Sequence, residues 1–204
     1  MKIEFFHDVL CAWCFAFSPR MRKLHQEYPE IEIVQKSFAL APSKESLSHM
    51  FGNPEQAKNE ILGHWRMANQ NDDEHRINTD LMEQKHFGYP YSMPGLMACK
   101  SAEFQRGTEG HWDYFDRIQK AHLVDCEDIN DPNVLIKCAE DIGLDIERFK
   151  MDFQSDTAKH SVIQDIELAR HYGINGVPSM VIDGVKIQSG AISYSQLLRV
   201  LGLN

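Results

Sequence analysis

The chain has 204 residues, and its composition excludes several classes of protein before any motif is considered. Hydrophobic residues make up 43% and charged residues 25%, as in an ordinary globular domain and unlike a disordered or fibrous chain. The 21 Lys and Arg residues against 30 Asp and Glu residues leave a net charge of -9, which disfavours nucleic acid as a partner. The longest apolar stretch near the start, residues 9–17, is about half as long as a membrane-spanning helix, so no membrane partner is expected.

The start of the chain and its cysteine content predict a reducing compartment. Glu4, His7 and Asp8 interrupt the one apolar run that could act as a secretory signal, so a cytoplasmic location is expected. Five cysteines are an odd number, and without an export signal a framework of structural disulfides is not expected. Disulfide chemistry in this chain is therefore predicted to be catalytic or regulatory.

The first part of the chain predicts a strand, a turn, a helix and a second strand. Residues 3–6 have high β-propensity and lead directly to Cys11, after which residues 16–28 have the pattern of a helix. Residues 31–38 alternate in hydrophobicity, which is typical of a strand, and the turn residue Pro42 follows. This segment is therefore predicted to be a βαβ unit.

The middle of the chain, from about residue 53 to 152, predicts helices without strands. One helix is well marked, because Asp131 can cap it, Pro132 suits its first turn and Gly143 can end it. His111 and His122 have no metal-binding spacing and are predicted to be exposed or partly buried. No linker of low complexity separates this block, so it is predicted to be an insertion and not a tethered domain.

The last part of the chain predicts a helix, a hairpin and a short C-terminal helix. The first helix covers residues 157–172, and strands at residues 179–183 and 185–188 flank Asp183-Gly184, a dipeptide that favours a two-residue type I′ turn. Ser193 can cap the final helix, which Gly202 ends. We therefore predict an α/β domain of residues 1–45 and 155–204, with an inserted helical subdomain at 46–154. The sequence does not indicate an oligomeric state.

Cys11 and Cys14 form the strongest motif in the sequence. Two thiols separated by two residues at the start of a helix can close a small disulfide near the positive end of the helix dipole. The same spacing is also half of a zinc site, but Cys99, Cys126 and Cys138 form no second pair of this kind. The motif therefore favours a redox pair without a metal, with two packed cysteines as the structural alternative.

The order strand, C-x-x-C, helix, strand and late hairpin resembles the thioredoxin fold, and residues 176–179 stand where that fold carries its cis-proline loop. More closely, the chain resembles the DsbA-like family with a helical insertion, in particular its FrnE-type dithiol oxidoreductase branch. The matching stretches are DVLCAWC at 8–14, INDPNVLIKCAEDIGLD at 129–145 and INGVPSMVIDGVKIQSGAIS at 174–193. The branch usually has proline where this chain has Ala12, which leaves the redox potential and the direction of electron flow open.

The resemblance implies a role for each residue of the site. Cys11, the more exposed thiol at the helix N-terminus, is expected to be the nucleophile, and Cys14 the resolving thiol. A cis Val177–Pro178 bond would present the backbone of Val177 to a polypeptide substrate beside the cysteines. Trp13 is expected either to contact substrate or to pack in the core.

Two further groups of residues could support this chemistry. Glu4, His7 or Asp8 could relay protons to the cysteines, although each is more simply explained as structural; Asp8 in particular could hydrogen-bond the turn that follows it. Glu4 stands in roughly the position of an acidic residue that many members of the family keep beneath the cysteines. The basic cluster at residues 20–23 is predicted to be a solvated face or a contact for the carboxylates of glutathione.

Three functions remain open at this stage. The leading one is a thiol-disulfide oxidoreductase or isomerase that acts on protein or small thiol substrates. It would need no bound cofactor, with glutathione or another thiol pool as redox partner. The second is a glutathione-dependent enzyme similar to kappa-class transferases and hydroxychromene-carboxylate isomerases, which usually lack the paired C-x-x-C. The third is a redox-gated adaptor that binds a protein partner over the cysteines.

Overall fold

One four-stranded sheet organises residues 1–203, the part of the chain that the computed structural model describes, with the side chains of residues 54, 55 and 186 excepted. The strands are β1 (Lys2–His7), β2 (Glu32–Ser37), β3 (Ser179–Ile182) and β4 (Lys186–Ser189). The helices are α1 (Ala12–Glu27), α2 (Lys44–Phe51), α3 (Pro54–Asn71), α4 (Thr79–Glu83), α5 (Ser92–Leu123), α6 (Pro132–Asp141), α7 (Ile146–Phe153), α8 (Asp156–His171) and α9 (Tyr194–Leu201). Within residues 1–203, none of these helices is both long and apolar enough to cross a membrane.

The sheet is built from the two ends of the chain. Its strand order is β2-β1-β3-β4, with β1 parallel to β2 and antiparallel to β3, and β4 antiparallel to β3. Residues 44–153 contribute the helices α2 to α7 and, as far as the structure describes them, no strand. This order confirms the predicted βαβ unit, helical block and late hairpin. The predicted domain boundaries stay a prediction, and Asn204 lies outside the described residues.

The two faces of β1 are buried against different helices. Successive side chains of a strand point to opposite faces, so Phe5 and Phe6 face apart. The ring of Phe5 meets Phe17 of α1 with centroids 5.8 Å apart, whereas Phe6 meets Tyr172 at the end of α8 at 6.2 Å. The side of the sheet that carries Phe5 is therefore the side on which α1, with both cysteines, is packed.

The late hairpin has the predicted turn residues but a different register. Asp183 and Gly184 both have positive φ, 49° and 72°, as a type I′ turn requires. However, Ile182 pairs with Lys186, so Val185 is an extra residue outside the ladder and the predicted two-residue loop is wrong. The observed register places Ile187 opposite Val181, so two apolar side chains share one face of the sheet. A two-residue loop would place Lys186 opposite Val181 instead.

Helix α5 is bent into two arms at Gly107. Arg106 and Gly107 leave helical geometry, and Gly107 has φ of 64°, a conformation that glycine adopts without strain. The arms, residues 92–105 and 108–123, lie side by side, because a Cβ on Gly95 of the first arm would be 3.1 Å from Ile118 of the second. The two arms of α5 thus meet beside Val9, in the segment that precedes α1.

Candidate active site

The two cysteines lie at the first turn of α1, which begins earlier than the sequence predicts. Cys11 is the N-cap residue, and its Sγ accepts a hydrogen bond from the Cys14 amide at 3.2 Å. Both are free thiols, with Cys11 4% exposed and Cys14 fully buried. Burial, together with the neighbouring Cys11, raises the pKa of the Cys14 thiol well above its usual range. The two sulfurs therefore differ in environment, and Cys11 is the one that solvent reaches.

The loop before β3 completes this side of the site. The Val177–Pro178 peptide bond is cis, and the Cys11 thiol donates a hydrogen bond to the Val177 carbonyl at 3.4 Å. The Pro178 carbonyl accepts from the Gly190 amide at 2.9 Å, which attaches the loop to the segment after β4. Two segments that are more than 160 residues apart in sequence thus meet at one sulfur.

An apolar pocket of about 290 Å³ opens beside Cys11. Trp13 and Val177 line it, together with residues 40–41 and side chains of α2 and α3, whereas Pro178 is buried and does not line it. Leu40 and Met50 are exposed at its rim. Among the residues that the structure describes, none that lines this pocket is Lys, Arg, Asp or Glu. The pocket suits an apolar group held next to the sulfur of Cys11.

Asp8 is a buried carboxylate that ties three segments to the site. Its Oδ1 accepts from the Leu10 amide at 3.1 Å, and its Oδ2 accepts from the Leu40 amide at 2.6 Å and the Ser92 hydroxyl at 2.7 Å. Burial raises the pKa of Asp8 to about 6, although these hydrogen bonds oppose the shift. The structural role that the sequence suggested for Asp8 is confirmed, and it extends to the pocket rim and to α5.

Glu4 and His7 have partners other than the two cysteines. Glu4 is on the face of β1 opposite to α1, where it accepts a hydrogen bond from the Tyr172 hydroxyl at 2.9 Å. The ring of His7 is fully buried 3.8 Å from that of Phe115, and burial lowers its pKa well below the usual value. The hypothesis that Glu4 lies beneath the cysteines is therefore wrong, because the strand alternates.

His111 and His122 are both fully buried, so the prediction that they are exposed or partly buried is wrong. His111 Nδ1 lies 2.6 Å from a carboxylate oxygen of Glu103. His122 Nε2 lies 3.1 Å from the Tyr89 hydroxyl, which in turn accepts from the Trp65 indole at 3.2 Å. Burial lowers the pKa of His122 to about 3, so it is neutral at ordinary pH. Glu103 lies on the first arm of α5, and Tyr89 and Trp65 lie outside α5, so the sequence pattern of the second arm alone does not reveal these partners.

The two arginines of the basic cluster at residues 20–23 do not form a free solvated face, whereas Lys23 is exposed as predicted. Arg20 is buried and forms two hydrogen bonds with the carboxylate of Asp73, at 2.7 and 3.0 Å. Arg22 pairs with Asp113 at 3.0 Å and Asp116 at 2.8 Å. These guanidinium groups hold α1 to its neighbours, and their charges are already paired.

The other cysteines are also inside the protein. The structure buries Cys99, Cys126 and Cys138, and burial raises the pKa of each thiol. Within residues 1–203, no group of three or more His, Cys, Asp or Glu side chains is arranged to hold a metal ion.

One buried residue that the sequence analysis missed touches the site directly. The amide Nε2 of Gln119, on the second arm of α5, lies 2.9 Å from the Cys11 carbonyl and 3.2 Å from the Asp8 carbonyl. The only sequence signal is a polar residue in an otherwise apolar helix face, and such a signal does not say which backbone the side chain meets.

Sequence comparison relates this chain to one domain family. The model of the DSBA-like thioredoxin domain matches residues 2–202. A curated relative from Bacillus subtilis, named ClpXP adapter protein SpxH, is 25% identical over 211 residues, which cover 98% of this chain and 66% of the relative. The match thus spans a little under two thirds of the relative's length.

Comparison of structures agrees on the fold. A candidate protein disulfide isomerase from Nitrosomonas europaea superposes with a TM-score of 0.81 at 23% identity and covers 98% of this chain and 95% of its own. The cytosolic disulfide reductase DsbM from Pseudomonas aeruginosa superposes with a TM-score of 0.73 at 18% identity over the whole of both chains. At these identities the likeness concerns the fold alone. The chain therefore belongs to the DSBA-like thioredoxin domain family, and its α/β fold is the thioredoxin fold with added helices that the sequence predicts.

Proposed function

We propose that the protein is a thiol-disulfide oxidoreductase in which Cys11 and Cys14 form the redox pair. The observation that carries the proposal is the position of the Cys11 sulfur. This sulfur caps α1, where it accepts a hydrogen bond from the Cys14 amide at 3.2 Å. It also lies 3.4 Å from the Val177 carbonyl oxygen and borders the apolar pocket. One sulfur thus has a stabilising donor, a resolving partner and a place for substrate, which is the arrangement that dithiol exchange requires.

The reaction proceeds in two exchanges. The Cys11 thiolate attacks one sulfur of a substrate disulfide, so that a Cys11–substrate bond forms, the substrate bond breaks and the departing sulfur takes up a proton. Cys14, after losing its proton, then attacks the Cys11 sulfur and releases the second substrate thiol. The substrate gains two electrons and the protein becomes the Cys11–Cys14 disulfide. Oxidation of a dithiol substrate follows the same path in reverse.

The difference between the two thiols sets the order of these steps. Cys14 is fully buried and its pKa is raised, so in the free protein it is protonated and cannot compete as the first nucleophile. Cys11 borders the pocket and meets the substrate first. Cys14 acts once the mixed disulfide has formed beside it.

The pocket favours a polypeptide substrate over glutathione. Trp13 and Val177 would contact an apolar side chain next to the reacting cysteine, with Pro178 holding the Val177 carbonyl beside the sulfur. Among the described residues, no Lys or Arg lines the pocket to pair with the carboxylates of glutathione, and His64 is the one imidazole there. We therefore assign glutathione, or another thiol pool of the cytoplasm, the role of redox partner, with no bound cofactor.

The proposal is tested by equilibrating the protein in glutathione buffers and measuring free thiols by alkylation and peptide mass. A reversible Cys11–Cys14 disulfide is expected, with a potential of about -270 mV for a reductant and about -120 mV for an oxidant. Cys14→Ser should accumulate mixed disulfides through Cys11, and Cys11→Ser should lose exchange activity. Cys138→Ser, at a buried thiol elsewhere, is the matched control and should keep it. Full exchange activity in Cys11→Ser would refute the assignment.

A second candidate function is a protein-binding adaptor, and the observation that favours it is the name of the curated relatives, ClpXP adapter protein SpxH. The exposed Leu40 and Met50 at the pocket rim offer a surface for such a partner. The Cys14→Ser variant separates the two functions. An enzyme captures many thiol proteins covalently, whereas an adaptor retains one dominant partner that reducing agent does not release.

A further inference from the structure

The turn that precedes Cys11 lies between the two arms of α5. Residues 8–11 connect β1 to α1, and the Cys11 amide donates to the Asp8 carbonyl at 3.0 Å. On the first arm, the Ser92 hydroxyl donates to the Asp8 carboxylate at 2.7 Å. A Cβ on Gly95 of the same arm would lie 2.7 Å from the side chain of Val9, so only glycine allows this close approach.

The second arm reaches the backbone of the same turn through one side chain. Gln119 is fully buried, and its amide nitrogen lies 2.9 Å from the Cys11 carbonyl, 3.2 Å from that of Asp8 and 3.4 Å from that of Val9. Three carbonyl oxygens therefore converge on a single donor group. The Asp8 and Cys11 carbonyls each have one backbone donor as well, from Cys11 and Phe15, so loss of the Gln119 amide would leave these buried oxygens less fully paired, and one of them belongs to the residue that carries the sulfur.

We infer that Gln119 is a positioning residue that holds the Asp8–Cys11 turn so that the Cys11 sulfur is ready as nucleophile. The Cys11 carbonyl also accepts the Phe15 amide at 3.1 Å, so Gln119 binds the turn at its junction with the first turn of α1. Its second strong contact, the Asp8 carbonyl, is the other end of the turn. With both ends held, Cys11 keeps the N-cap geometry in which its sulfur accepts the Cys14 amide.

The test compares Gln119→Met with Tyr114→Phe. Methionine keeps the length of the side chain and removes the amide. Tyr114 is buried on the same arm and donates to the Leu135 carbonyl at 2.8 Å, so its replacement also removes one buried hydrogen bond, away from the turn. Two quantities are measured: the rate at which iodoacetamide alkylates Cys11 at neutral pH, and the equilibrium constant between glutathione and the Cys11–Cys14 disulfide.

Gln119→Met should slow the alkylation of Cys11 about fivefold, the effect of roughly one net hydrogen bond. The equilibrium with glutathione should shift about fivefold towards the disulfide, because the cap can stabilise a thiolate at Cys11 in the reduced form only. Tyr114→Phe should change neither the alkylation rate nor the equilibrium constant, even if its thermal stability falls as much as that of Gln119→Met. Wild-type values of both quantities in Gln119→Met would overturn the inference and reduce Gln119 to a packing role.

A second variant covers the case in which Gln119→Met does not fold. Gln119→Asn keeps the amide group but shortens the side chain by one methylene, so the amide no longer reaches the turn. Alkylation of Cys11 should therefore slow about fivefold in this variant too, and a wild-type rate would overturn the inference. Only the equilibrium measurement rests on the proposed function. If the wild-type chain forms no reversible Cys11–Cys14 disulfide, the proposed function fails, and the alkylation rate still decides the role of Gln119.

Discussion

Replacing Asp8 by asparagine should remove a large pH dependence from the stability of this protein. Asp8 is fully buried, and its carboxylate has three hydrogen-bond donors, the Leu10 amide, the Leu40 amide and the Ser92 hydroxyl. None of these donors carries a charge, so the ionised carboxylate has no counterion among its hydrogen-bond partners. Burial therefore prevails and raises the pKa of Asp8 from 3.8 to about 6.

The sign and size of the effect follow from this shift. Because the folded protein holds the proton more tightly than the unfolded chain, the free energy of unfolding falls as the pH rises through the range between the two pKa values. A shift of about two units corresponds to about 3 kcal/mol in full, at about 1.4 kcal/mol per unit. Between about pH 4.5 and 7.5, the contribution of Asp8 to the free energy of unfolding should fall by roughly 2 kcal/mol.

The assay is urea unfolding of the wild type and Asp8→Asn at a series of pH values. The difference between the two free energies of unfolding isolates Asp8, because other titrating groups contribute equally to both proteins. The wild type should lose about 2 kcal/mol relative to Asp8→Asn from the lower to the higher pH. Ser92→Ala, which removes one donor to the carboxylate, should move this loss to higher pH. A difference that stays constant, or that rises with pH, would refute the reasoning.

Two further substitutions test the packing around the site and the buried charges behind it. Gly95→Ala should lower the free energy of unfolding by about 1–3 kcal/mol, because the new methyl group would lie 2.7 Å from Val9; chemical denaturation measures this, and an unchanged midpoint would contradict it. Asp165→Asn should lower it by about 1–3 kcal/mol, because Lys100 loses its 2.7 Å partner in a buried ion pair and keeps only Glu103 at 2.8 Å. Glu32→Gln, which opens an exposed ion pair, is the control and should change stability by less than about 1 kcal/mol; equal losses in the two variants would contradict the burial argument.

The features that the sequence predicts well are local. Asp131 caps α6 and Ser193 caps α9 as predicted, because a cap depends on one side chain and the amides two or three residues later. The positive φ values at Asp183 and Gly184 follow from the same kind of short-range preference. The C-x-x-C motif is also local, and it was enough to identify which thiols carry the chemistry that we propose.

The features that needed the tertiary structure depend on which distant surface each side chain meets. Glu4 and Asp8 are both acidic residues near the first strand, yet one faces Tyr172 on the far side of the sheet and the other is enclosed by α5. His122 is in a helix pattern that could equally face solvent, and its burial depends on Tyr89 from another segment.

The amino-acid sequence by itself therefore determined the order of the elements and the C-x-x-C motif that we propose as the redox pair. Through the family resemblance it also predicted the cis-proline loop at Val177. Only the tertiary structure decided that Gln119 binds the turn before Cys11 and that Gly95 allows the approach. Periodicity and capping are short-range properties that a few neighbouring residues specify. The partner of a buried polar side chain depends on how whole helices pack together, and no single segment of the sequence specifies that packing.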